Sequence, residues 1–87
     1  MPYITQYEKD KLDDAIDNVI QALRIDWWNF GQVNYVVYRI MCAWFKDEGR
    51  YATIKDIQGT LECVSKEFYR RKAVPYEDLK MLENGDV

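Results

Sequence analysis

Between Trp27 and Phe45 the chain carries one charged side chain, Arg39. That stretch decides most of what the chain can become. Wound as a helix from about Gln32 to Lys46, it shows two apolar stripes. Val33, Val37, Ile40, Met41 and Trp44 make one, and Tyr35, Tyr38, Cys42 and Phe45, with Arg39 among them, make the other. A helix that is apolar on all sides is normally covered on all sides. In a chain of 87 residues this places the helix at the centre of the fold or at a subunit interface. It does not read as a membrane span, which needs about 18 or more consecutive apolar residues. The longest uncharged run, Trp27 to Tyr38, includes Asn29, Gly31, Gln32 and Asn34.

The flanking segments supply partners for such a helix. Thr5 and Glu8 have the spacing of a capping box, so a first helix is expected from Thr5 as N-cap to about Arg24. Its apolar residues Leu12, Ile16, Val19, Ile20 and Leu23 share one face, with Asp10, Asp13, Asp14 and Asp17 on the other side. Gly49 is a fitting stop for the second helix. A third helix is predicted from Thr53. Its seam of Ile54, Ile57, Leu61, Val64 and Phe68 follows the 3-4-3-4 spacing of a coiled-coil stripe. The pairs Glu62–Lys66 and Glu67–Arg71 are ordered to support it, at about 0.2–0.5 kcal/mol each. The small residues Gly59 and Cys63 suggest that another helix passes close beside them. Pro75 is predicted to end the third helix, because the residue before a proline is biased to extended backbone. The same proline can open a short final helix through Glu83, stopped at Asn84-Gly85. The expected fold is all-α: one domain, residues 1–87, an antiparallel three-helix bundle with a short fourth helix at the C-terminal end.

Composition narrows the function. There is no histidine and only one serine, Ser65. The commonest general base and zinc ligand is therefore absent, and no Ser-His or Cys-His dyad can be assembled. No glycine-rich phosphate loop or Cys-x-x-Cys motif is present. The chain is expected to be no enzyme and to need no cofactor or metal. Aromatic residues are abundant instead, with seven tyrosines and three tryptophans. Rings of this kind suit cores, interfaces and flat ligands. The net charge is −3, spread unevenly: residues 1–30 carry three basic and six acidic side chains, and residues 31–74 carry eight basic and five acidic. This is too mild a basic footprint for a duplex nucleic-acid binder. The complementary blocks suit either solvated helix faces or a homo-oligomer. Cys42 and Cys63 read as reduced, half-buried helix residues, and with no signal-peptide pattern the expected location is the cytoplasm.

Several strings together resemble a known family. They are Met-Pro-Tyr-Ile at 1–4, Asn34-Tyr35-Val36 running to Arg39, Gly59-x-Leu61-Glu62-Cys63, Glu67-Phe68-Tyr69-Arg70-Arg71, Pro75-Tyr76-Glu77-Asp78 and Glu83-Asn84-Gly85-Asp86-Val87. The chain is similar over nearly its whole length to small, uncharacterised proteins of tailed phages, prophages and some bacteria. The resemblance implies an all-helical, phage-linked protein of the host cytoplasm. It carries over no activity and no functional residue.

Three constellations are candidates for binding. Tyr35, Tyr38 and Arg39 join rings to a guanidinium, which suits a flat anion or, equally, a homodimer face with Arg39 paired to Glu62 or Glu67. Tyr69, Arg70 and Arg71, followed by Lys72, suit phosphate or an acidic partner, or simply complement a helix C-terminus behind a buried Phe68. Trp27, Trp28 and Phe30 form an aromatic corner. Exposed, it is a partner hot spot; buried, it plugs the bundle with Trp28 or Phe30 in the core. The four aspartates of the first helix read as a solvated face rather than a metal site. The leading expectation is a non-enzymatic accessory protein that sequesters a small nucleotide-like anion, in the manner of a counter-defence sponge. The alternative is a module that inhibits or recruits a host or phage protein through an exposed aromatic or helical surface.

Overall fold

The capping box is formed as the spacing predicts, and it sets the first element. In the computed structural model, which describes residues 4–86, Thr5 is extended (φ −78°, ψ 164°) and its hydroxyl accepts the Glu8 N–H at 3.2 Å. The Glu8 carboxylate accepts the Thr5 N–H at 3.0 Å in return. These bonds satisfy two of the orphan donors at the start of α1, Gln6–Ile25. They also hold the Glu8 carboxyl below the usual glutamate range, the Thr5 backbone bond first.

The second element begins two residues earlier than expected. Of Asn29 and Gly31, the two turn or cap residues of this stretch, Asn29 is the cap: its side-chain oxygen accepts the Gln32 N–H at 3.1 Å at the start of α2, Phe30–Glu48. Gly31 falls inside the first turn. At the other end Gly49 takes a left-handed φ of 63° and donates its N–H to the Phe45 carbonyl at 2.7 Å, the stop its position predicts. Trp44 donates to the Glu48 carboxylate, which also accepts from Arg50 at 2.9 Å; the two bonds lower the Glu48 pKa, that from Trp44 first.

The third element departs most from expectation. α3, Tyr51–Phe68, starts two residues before Thr53. Thr53 is fully buried rather than capping, and its hydroxyl has no hydrogen-bond partner. Pro75 does not end the helix. A π-helical turn, Tyr69–Ala73, leads straight into α4, Val74–Asn84, and Val74 is helical (φ −61°, ψ −50°). The Val74 N–H reaches back to the Tyr69 carbonyl, five residues away. Proline disrupts a helix because it lacks an N–H and because its ring strikes the carbonyl four residues back. The wider π turn just ahead of Pro75 relaxes that clash, so the helix bends instead of stopping. Gly85 (φ 82°) then ends it, as the Asn84-Gly85 pair predicts.

The protein is thus all-helical, with three helices, the last long and bent, and no strand among the described residues. Met1–Tyr3 and Val87, which carry the ends of the family-like strings, lie outside the described residues.

The chain divides into two compact units, Met1–Ile40 and Met41–Val87. In the first, the apolar side of α1 and the opening turns of α2 line a shared groove, and Leu23 is the buried side chain. In the second, Thr53 and Ile57 are buried. Expected burial fails at several places. α2 has no buried residue, although Val33, Val36, Met41 and Trp44 are half-covered. Cys42 and Cys63 are exposed free thiols. Phe68 is exposed, and a methyl group added at Gly59 would meet no described atom within 4 Å.

Candidate functional site

The turn between α1 and α2 is built from tryptophans where a helix end usually uses glycine. Asp26 is the C-cap of α1. The Trp27 N–H bonds the Arg24 carbonyl and the Trp28 N–H bonds the Leu23 carbonyl, both at 3.0 Å. This pair of bonds is the Schellman arrangement, in which the residue after the cap must be left-handed. Trp27 fills that place with φ 51°, and Trp28 follows with φ 60°. They are the only non-glycine residues with positive φ among those described. Left-handed backbone costs a non-glycine residue on the order of 1–3 kcal/mol.

Two bonds brace the turn from the far side. Asn29 caps α2, and the Gln32 side chain donates to the Asp26 carboxylate at 2.7 Å, tying the end of α1 to the start of α2. Two of the three rings stay largely uncovered. Trp27 is 76% exposed, Phe30 83% and Trp28 44%. The aromatic corner is therefore at the surface, and neither Trp28 nor Phe30 enters a core. Beside the turn lies a hollow of about 490 Å³ bounded by Val19, Leu23, Asn29, Gln32, Tyr35 and Val36 among others.

Tyr35 and Arg39 come together one turn apart on α2. Arg39 Nη1 donates to the Tyr35 hydroxyl at 2.8 Å, and its guanidinium carbon lies 5.5 Å from the ring centroid. Arg39 is thus held by its own helix. The carboxylates proposed for it from the sequence are engaged locally: Glu62 with Lys66 at 2.9 Å, and Glu67 with Arg70 and Arg71 at 2.9 and 2.5 Å. Tyr38 is exposed on the same helix.

The second unit holds Tyr69, Arg70 and Arg71. All three fall in the π turn. The Tyr69 hydroxyl donates to the Glu77 carboxylate at 3.3 Å, bridging the turn. Glu67 draws both arginines to one carboxylate, whose pKa is lowered by the Arg70 hydrogen bond first and then by the charges of Arg70 and Arg71. This arrangement internally neutralises part of the cationic cluster.

The sequence-predicted residues therefore fall into two groups. Trp27, Trp28, Tyr35, Tyr38 and Arg39 lie in the first unit, and Tyr69, Arg70 and Arg71 in the second. Residues that sequence reasoning missed are the braces Asp26 and Gln32; Asn29 reads from the sequence as a turn or cap residue, and it caps α2. The available signal was Asn29 three residues before Gln32 at a helix start. Among the described residues no group of three or more Cys, Asp or Glu side chains could hold a metal ion, and no helix is long and apolar enough to cross a membrane.

Fold and surface together define a small all-helical protein whose most distinctive feature is a braced, exposed aromatic turn. The chain belongs to the family described as Domain of unknown function (DUF6899), whose model matches residues 1–87. No curated protein and no solved structure matches it.

Proposed function

We infer that the protein is a non-enzymatic protein-interaction module whose contact surface is the Trp27–Trp28–Phe30 turn. The observation that carries this reading is the pair of consecutive left-handed tryptophans, Trp27 largely exposed and Trp28 partly so, at a turn braced on both sides. Glycine would relieve the backbone strain at Trp27, whose ring is mostly exposed. Large rigid rings held at the surface at a cost in stability are what a binding hot spot needs, since Trp supplies contact area with little side-chain entropy to lose. In this reading the helices pack antiparallel as a bundle in the bound protein. The protein serves as an accessory factor of the phage type in a host cytoplasm, inhibiting or recruiting another protein there.

The test is capture from a lysate of the source organism by wild type and by Trp27→Ala/Trp28→Ala. A partner retained by wild type and lost by the variant supports the reading. The same partner held equally by both removes the turn from the account.

A second reading keeps the sequestration of a small nucleotide-like anion. The Tyr35–Arg39 stack favours it, because a ring and a guanidinium held together suit a flat anion and Tyr35 also borders the 490 Å³ hollow. Calorimetric titration with nucleotides decides it. Binding that disappears in Arg39→Ala supports this second reading, and no heat with any nucleotide removes it.

A further inference from the structure

We draw no further inference here: the strongest candidate, the apolar groove of the first unit between α1 and the opening turns of α2, lined by Leu12, Ile16, Val19, Val36 and Ile40, carries none because nothing in the structure shows what covers it.

Discussion

Trp27 offers a test in which the backbone can be separated from the ring. It sits at the residue after the C-cap of α1 with φ 51°, and its N–H closes one of the two bonds of the helix-ending motif. Replace it by alanine in one variant and by glycine in another. Both lose the indole, so whatever the ring buries cancels between them. Alanine must still adopt left-handed backbone, at a cost of about 1–2 kcal/mol. Glycine adopts it freely but loses more freedom on folding, which takes back about 0.5–1 kcal/mol. Trp27→Gly is therefore expected to be more stable than Trp27→Ala by roughly 0.5–1 kcal/mol. For a domain of this size that is a difference in Tm of about 2–8 °C. The sign is opposite to that of a helix interior, where alanine exceeds glycine by about 1 kcal/mol. Urea and thermal melts followed by far-ultraviolet circular dichroism measure it. Equal stabilities, or a more stable alanine variant, would show that residue 27 is not left-handed in solution, and the strain argument would fall with it.

Three further outcomes follow from individual residues. Thr53 is fully buried with an unpartnered hydroxyl, so Thr53→Val, nearly the same shape, should raise stability by about 1 kcal/mol in urea melts; a loss would reveal a partner for that hydroxyl. Gly59→Ala should stabilise the helix by about 0.5–1 kcal/mol, because the added methyl meets open space; destabilisation would place a close neighbour there. The carboxyls of Glu8, Glu48, Glu62 and Glu67 are all held below the ordinary glutamate range, each by a hydrogen bond first. A depressed folded pKa contributes stability that is full above the unfolded value of about 4.3 and lost as pH falls through the folded values. Thermal stability should therefore be flat in this respect near neutrality and decline below about pH 4. A decline beginning near pH 6 would contradict these four groups as its source.

What could be read from the sequence depended on whether the cause was local. The Thr5–Glu8 box, the glycine stops at 49 and 85, and the Glu62–Lys66 and Glu67–Arg71 pairs all depend on residues within four positions of each other, and all are formed. Pro75 misled because its local rule assumes an α-helical turn ahead of it. The π turn at Tyr69–Ala73 supplies a different one, and nothing in Tyr-Arg-Arg-Lys-Ala announces it. The Schellman turn was illegible for the converse reason. Its usual mark is glycine, and here tryptophan stands in that place. Burial was the least legible property. Apolar periodicity correctly marked the faces of α1 and α3, but it does not say whether a face is covered by the same chain. Leu12, Ile16, Leu61 and Phe68 follow the pattern of a core and are exposed. The candidate site was legible as residue types, in Trp27, Trp28, Tyr35 and Arg39, and not as geometry. The pairing of Arg39 with Tyr35 instead of a distant carboxylate is a one-turn contact that the spacing of four allowed but did not single out.

We infer that the aromatic turn is held strained and exposed for a partner. The most direct test compares wild type with Trp27→Gly for retention of a captured partner, with stability measured on the same samples. The account predicts a variant that folds at least as well as Trp27→Ala and yet loses most of the partner, because the backbone is relieved and the exposed ring is gone. A glycine variant that keeps the partner at wild-type strength would contradict it.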